Sequence, residues 1–218
     1  MNIASLIDHT ILKPDTTFEE VAQLCSEAES FRFAAVCVPP GYVAFAKKEL
    51  HQSAAAVATV IGFPFGYSHT DAKVSEVRQA LADGADELDI VQNITAIKNC
   101  DWDYLEREMR VLTSIIHAAG KKVKIILETA LLTDHEIIRC CELYAPMHPQ
   151  FLKTSTGYSG GGATVHAVLL MRANLPAAIG IKASGGIRTF AAAMDMVNAG
   201  ASRLGCSASV SIVGEAKP

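Results

Sequence analysis

Two lysines stand where lysine is rarely tolerated. Lys153 falls in Phe151-Leu152-Lys153-Thr154-Ser155-Thr156-Gly157, and Lys182 in Ile179-Gly180-Ile181-Lys182-Ala183-Ser184-Gly185-Gly186. Each is in or at the end of an apolar run, and lysine is almost never buried without a partner or a task. A structural reading of either one alone is an ammonium paired with a carboxylate, or one that snorkels out to water. Two of them on adjacent strands of one small fold point instead to amine chemistry. An amine attacks a carbonyl only when unprotonated. Bringing a lysine from about 10.4 to near 7 requires ~4 to 5 kcal/mol of destabilisation of its charged form. A second ammonium ~5 Å away supplies about 3 kcal/mol at an effective dielectric of about 20, and desolvation can supply the rest. Neighbouring cations of this kind activate Schiff-base lysines.

Asp89 interrupts the apolar segment Leu88-Asp89-Ile90-Val91, where a carboxylate must be paired or must work. It could be a passive partner for Lys182, or a proton relay acting through water, since imine chemistry moves protons repeatedly between adjacent atoms. The two roles are compatible. Ser184-Gly185-Gly186-Ile187-Arg188-Thr189, followed by an apolar helix, presents two glycines and fresh helix N–H groups to an anion. Gly205-Cys206-Ser207 offers a comparable loop further on.

These residues need elements to hold them. Apolar runs recur over 34–38, 58–63, 87–91, 123–127, 151–154, 179–183 and 202–206, and a short one over 8–12 makes eight. Such runs suit parallel strands covered on both faces. Helical periods lie between them: Thr70 to Asp83, with Val74, Val77 and Leu81 on one face, and Asp103 to Ala119, with Leu105, Met109, Leu112 and Ile116. Thr17 and Thr133 each precede an acid at the third helical position, and glycines at 84, 120 and 200 stand where helices should stop. Regular alternation without a linker predicts one α/β domain over residues 1–218, a (β/α)8 TIM barrel. An open doubly wound sheet is the alternative, but it commonly has fewer strands. In a barrel, chemistry belongs at the C-terminal ends of the strands, and phosphate at the loops after the last two.

Composition limits the function classes. The 218 residues are 50% hydrophobic with a formal charge of −4, so neither nucleic acid nor an anionic membrane is an expected partner, and small molecules are. Asp8 arrives before any apolar stretch long enough for a signal peptide. Gly62, Pro64 and Gly66 break up the uncharged stretch 50–70, which reads as helix end, strand and loop rather than a membrane span. Six cysteines without a Cys-x-x-Cys pair fit reduced thiols in a cytoplasm. Seven histidines form neither a His-x-His nor a His-Glu-x-x-His set, and no Gly-x-Gly-x-x-Gly or Walker loop follows a strand. Neither metal nor cofactor is therefore expected.

The chain resembles the deoxyribose-phosphate aldolase family. Asp8-His9-Thr10-x-Leu12-Lys13-Pro14, Val36-Cys37-Val38, Gly62-Phe63-Pro64-x-Gly66, Gly84-Ala85-Asp86-Glu87-x-Asp89, Lys153-Thr154-Ser155-Thr156-Gly157 and Lys182-Ala183-Ser184-Gly185-Gly186-x-Arg188 carry the likeness. They run in order from near residue 8 to near residue 209. The resemblance implies reversible cleavage of 2-deoxy-D-ribose 5-phosphate to D-glyceraldehyde 3-phosphate and acetaldehyde. It makes Lys153 the Schiff-base nucleophile, with Lys182 and Asp89 assisting. Gly157, Gly185, Gly186, Gly205 and Ser207 would receive the phosphate, while Asp8, Thr10, Cys37 and Thr156 would line the pocket. For Cys37 a small core residue is the plainer role. A homodimer is compatible with the family's habits. Two rivals remain: a Schiff-base aldolase for another sugar phosphate or aldehyde, and a non-catalytic sugar-phosphate-binding barrel. Four positions depart from the family's pattern. Thr95 stands where glycine is usual, and Tyr67 replaces a small residue and could narrow the pocket entrance. Cys206 replaces threonine, and Ala208 removes a hydroxyl. The tyrosine with which some members end has no counterpart in Glu215-Ala216-Lys217-Pro218, so its proton-exchange role is not carried over.

Overall fold

The computed structural model describes residues 2–216. Within them eight parallel strands close on themselves in sequence order: β1 (Ile7–Thr10), β2 (Ala35–Val38), β3 (Ala56–Ile61), β4 (Glu87–Val91), β5 (Lys122–Ile126), β6 (Phe151–Lys153), β7 (Gly180–Ser184) and β8 (Arg203–Cys206). β1 pairs with both β2 and β8, which completes the barrel. The helices that return the chain are α1 (Phe18–Phe31), α2 (Val43–Glu49), α3 (Thr70–Ala82), α4 (Ile94–Lys98), α5 (Trp102–Ala118), α6 (Asp134–Tyr144), α7 (Val165–Asn174), α8 (Phe190–Asn198) and α9 (Ser209–Glu215). The closed (β/α)8 barrel thus replaces the open-sheet alternative.

Local chemistry sets the boundaries. Thr17 and Thr133 form complete capping boxes with Glu20 and Glu136, which start α1 and α6 where the spacing predicts. Asp101 accepts a hydrogen bond from the Tyr104 amide and opens α5 one residue earlier than predicted. The run predicted over 58–63 ends as a strand at Ile61, because Gly62 takes a positive φ of 64° and its amide donates to Glu76 Oε2 at 2.6 Å. That bond leaves the ladder and begins a turn.

One expectation about a helix face needs correction. α3 buries Lys73, Val77 and Ala80, with Val74 and Leu81 only half-buried. Lys73 donates to Glu108 Oε2 of α5 at 2.9 Å and to the Val91 carbonyl at 3.0 Å, so an ion pair occupies a face predicted to be apolar.

Side chains alternate about the barrel wall. Leu88 and Ile90 of β4, Val123 and Ile125 of β5, Leu152 of β6, Ile181 and Ala183 of β7 and Leu204 of β8 join the large apolar core. The opposite parity faces inward. There Ala35, Cys37, Ala58 and Val60 make a small apolar cluster on the β2–β3 side, and ionisable residues fill the rest. Among the described residues no helix is long and apolar enough to cross a membrane.

Candidate active site

Strand register delivers the charged residues to one level. Lys153 stands opposite Lys182, Asp89 opposite Lys124, and Lys182 opposite Arg203. Asp89 Oδ2 accepts from Lys153 Nζ at 3.0 Å and from Lys182 Nζ at 2.8 Å, while Oδ1 accepts from Lys124 Nζ at 2.6 Å. Lys182 also donates to Asp8 Oδ2 at 2.5 Å. Lys124 reaches Glu87 Oε2 at 2.7 Å and Asp8 Oδ2 at 3.5 Å. Arg203 Nη1 donates to Asp8 Oδ1 at 2.6 Å, its guanidinium lying 5.0 Å from the Phe151 ring centre. Lys122 meets Glu87 Oε1 at 3.0 Å from the exposed rim.

The three interior lysines differ in what surrounds them. Burial, and after it the Lys182 charge, pulls Lys153 below the usual lysine range. Burial would do the same to Lys182, but Asp8 and Asp89 outweigh it and hold Lys182 above that range. In Lys124 burial is likewise outweighed, by Asp89, Asp8 and Glu87. Burial would raise Asp89, yet Lys124, Lys182 and Lys153 keep it well below the ordinary carboxylate value. Among the described residues the buried cluster pairs three carboxylates, Asp8, Glu87 and Asp89, with three well-held cations, Lys124, Lys182 and Arg203. A proton on Lys153 would add one uncompensated charge to an interior where such a charge is costly. Lys153 is therefore the amine that releases its proton first.

A cleft of about 720 Å³ opens above the cluster. Of the residues predicted from sequence, Lys153, Thr10, Thr156, Gly157, Gly185, Gly186, Gly205 and Ser207 line it. Asp8, Asp89 and Lys182 lie fully buried and reach the cleft only through Lys153 and its neighbours. Cys37 is also fully buried. It packs in the inner cluster with Ala35, Ala58 and Val60 rather than on the cleft wall, and burial pushes its thiol up. Gly205 carries a constraint that the sequence reading did not attach to it: a Cβ there would stand 3.0 Å from Lys182 Cε and 2.9 Å from Ser184 Cβ. The missing side chain lets the lysine pass.

Of the departures, Tyr67 does not narrow the cleft. It is exposed and stacks on Phe65, with ring centres 5.5 Å apart. Thr95 lies exposed in α4, its hydroxyl donating to Asn93 Oδ1 at 2.6 Å beside that residue's cap on the Ala96 amide. Cys206 lines the cleft, its thiol pushed up to about 12 by burial. Lys217 and Pro218, on which part of the expectation about a terminal tyrosine falls, lie outside the described residues.

Sequence reasoning missed Lys124, which interrupts an apolar run just as Lys153 and Lys182 do, and Glu87 and Arg203, which open the strands β4 and β8. It also missed His9, buried between Ser209 Oγ at 2.9 Å and Glu27 Oε2 at 2.7 Å, and Glu128, two residues beyond the end of β5. Among the described residues no group of three or more His, Cys, Asp or Glu side chains is placed to hold a metal ion.

A closed (β/α)8 barrel whose mouth gathers a buried set of charged side chains under an open cleft has the frame of a barrel enzyme. The match of residues 3–208 to the model of the DeoC/LacD family of aldolases is the decisive comparison, and the chain belongs to that family. Over 215 residues it is 50% identical to the deoxyribose-phosphate aldolase of Thermococcus gammatolerans, covering 98% of this chain and 96% of the relative. With the deoxyribose-phosphate aldolase of Bacillus mycoides the identity is 49% over 98% and 95%. The solved tetrameric deoxyribose-phosphate aldolase of Aeropyrum pernix superposes with a TM-score of 0.91 at 30% identity, over 97% of this chain and 89% of that one.

Proposed function

We propose that this aldolase reversibly cleaves 2-deoxy-D-ribose 5-phosphate into D-glyceraldehyde 3-phosphate and acetaldehyde, through an imine on Lys153. The observation that carries the assignment is that, of the three interior lysines, Lys153 alone both lines the cleft and sits below its usual pKa. Its unprotonated Nζ adds to the C1 aldehyde of the open-chain sugar, and loss of water gives the iminium. The C3 hydroxyl then gives up its proton, the C2–C3 bond breaks, and its electron pair flows into the iminium to leave an enamine. Glyceraldehyde 3-phosphate departs. Protonation at C2 and hydrolysis release acetaldehyde and restore the amine.

Lys182, charged and 2.8 Å from Asp89, depresses Lys153 and, with Asp89, forms the proton store nearest the reacting carbons. The 5-phosphate meets the loops after β7 and β8, where Gly185 and Gly186 take positive φ values of 86° and 79° and expose backbone N–H groups beside Ser207. Gly157 and Gly205 form the adjoining wall. The steps as written need no cofactor. A cytoplasmic location and assembly into a homo-oligomer, dimer or tetramer, belong to the same proposal. Light scattering on the purified protein decides the assembly.

The direct test is incubation with acetaldehyde and sodium borohydride, followed by peptide mass spectrometry. An ethyl group on Lys153 that is absent from Lys153→Leu supports the imine, and a folded protein without any adduct rejects it. Turnover of 2-deoxy-D-ribose 5-phosphate against a panel of other sugar phosphates then tests the substrate.

A further inference from the structure

Glu128 stands two residues beyond the end of β5 in the left-handed conformation, φ 59° and ψ 57°, which residues other than glycine rarely adopt. Its carboxylate is fully buried, yet among the described residues no lysine, arginine or histidine pairs with it. The donors it has come from the loop that follows Lys153. The Thr156 amide donates to Oε1 at 3.3 Å and Oε2 at 3.2 Å, and Ser159 Oγ donates to Oε2 at 3.0 Å. The Thr156 hydroxyl also donates to Oε2 and in turn accepts from the Tyr158 amide at 3.0 Å. A buried carboxylate held only by hydroxyls and an amide, on strained backbone, has been placed there to hold that loop.

The loop carries part of the cleft wall. Gly157 and Tyr158 line the cleft, and Tyr158 Oη donates across the mouth to the Leu12 carbonyl at 2.7 Å. Behind them the chain packs glycine on glycine against the turn after β7. A Cβ on Gly185 would lie 2.9 Å from Gly162 Cα and 3.6 Å from Gly157 Cα, and the Ala163 amide donates to the Ser184 and Gly185 carbonyls. Lys153 depends less on this loop. Strand bonds fix its backbone, with its carbonyl accepting from the Leu127 amide at 2.9 Å, and Asp89 holds its amine.

We infer that Glu128 is a positioning residue for phosphate recognition: it fixes the Thr156–Ser159 turn against Gly185, so that the anion-binding end of the cleft is preformed. The inference rests on reading the cleft as a sugar-phosphate site. Glu128→Gln keeps the shape, removes the charge and turns an amide NH2 toward one of the donors. The steady-state constants to compare are those for 2-deoxy-D-ribose 5-phosphate and for unphosphorylated 2-deoxy-D-ribose. The expected result is a KM for the phosphate ester raised about ten-fold, with its kcat and the kcat/KM of the unphosphorylated sugar within about two-fold of wild type. An equal fall for both sugars would mean that Glu128 only supports the fold, and unchanged constants would mean that it does neither; each overturns the inference. If Glu128→Gln does not fold, Ser159→Ala removes one donor from a half-buried site and must show the same split at smaller size, with an even loss again overturning the inference. Wild-type protein that neither cleaves the phosphate ester nor traps acetaldehyde on Lys153 would count against the proposed function instead, which keeps the two failures apart.

Discussion

The two faces of the barrel wall are built on opposite principles. Outward, Leu88, Ile90, Val123, Ile125 and Leu152 pack beneath the helices, and hydrophobic burial holds them. Inward, over the same stretches of β4, β5 and β6, Glu87, Asp89, Lys124 and Lys153 meet in an ion cluster completed by Asp8, Lys182 and Arg203. Such a cluster is weak evidence for stability, because desolvating its members offsets most of their attraction. What it creates is an ordering of protonation. Three carboxylates are matched by three cations that hold their protons, and the remaining interior amine, the one that sees the cleft, is left to titrate.

The severest test of that contrast is Lys153→Leu, which removes the titrating amine and leaves the matched charges. Cleavage should fall to assay background and the borohydride adduct should vanish, while the melting temperature stays close to wild type. Residual adduct on Lys124 or Lys182 would show that the ordering is wrong.

Lys182→Leu should act next most strongly, through pH. Lys153 lies below its usual value partly because Lys182 is charged, so removing that charge raises it. Asp89, relieved of one partner, also turns more fully to Lys153. Both effects have the same sign, and the rising limb of kcat/KM against pH should move alkaline by ~2 units, from about 3 kcal/mol of lost repulsion. A limb that stays in place would mean that desolvation alone sets Lys153.

Lys124→Met breaks the matching from beneath. It leaves Asp8, Glu87 and Asp89 short of one cation, a loss of about 3 to 5 kcal/mol on the scale of broken buried pairs. The pH dependence of stability follows. All three carboxylates sit below their ordinary values of 3.8, 4.5 and 3.8 in the folded protein, so their contribution is present above those values and is lost as pH falls through the folded ones. Wild-type melting temperature should therefore hold between about pH 7 and pH 5 and drop below about pH 4. In Lys124→Met the folded carboxylate values rise toward the unfolded ones, so the stability they contribute at neutral pH is smaller and the acid drop, which still begins near the unfolded values, should be shallower. Thermal melts across pH 3 to 8 measure it.

Much of this architecture can be read from the chain, and the reason is the outward face. Val, Ile and Leu at alternate positions make strand runs visible, and capping residues such as Thr17 and Thr133 mark where helices begin. The inward face is less legible, because a charge inside an apolar run signals burial without naming its partner. Lys153 and Lys182 stand out beside glycine-rich loops, whereas Lys124 carries the same signal before an ordinary loop. Glu87 and Arg203 sit at strand edges, where charge also suits solvent. Glu128 leaves no local mark, since its left-handed backbone and its partners 28 and 31 positions away exist only in the folded chain. Cys37 shows the converse: it lies close enough to feel the Lys182, Asp89 and Lys153 charges, as its motif position suggests, but side-chain packing sets it among Ala35, Ala58 and Val60 rather than on the cleft wall.

The smallest expected effect on catalysis comes from the ion pair outside the barrel. Lys73 is as buried as Lys124 and donates to Glu108 at 2.9 Å, but its other partner is the Val91 carbonyl rather than a second carboxylate. Among the described residues no donor–acceptor chain joins the pair to Lys153. Lys73→Met leaves Glu108 buried with only the hydroxyls of Tyr104 and Thr70 as donors, at 2.9 and 3.2 Å. The cost should be about 3 kcal/mol or more, which for a chain of this length lowers the melting temperature by ~10 °C. Below that temperature kcat/KM should stay within about two-fold of wild type and its pH limb should not move, because this charge lies outside the set that orders Lys153. If the limb in Lys73→Met shifts as far as in Lys182→Leu, the division between a chemical inside and a structural outside fails, and the protonation of Lys153 is set by the whole molecule rather than by the cluster that holds it.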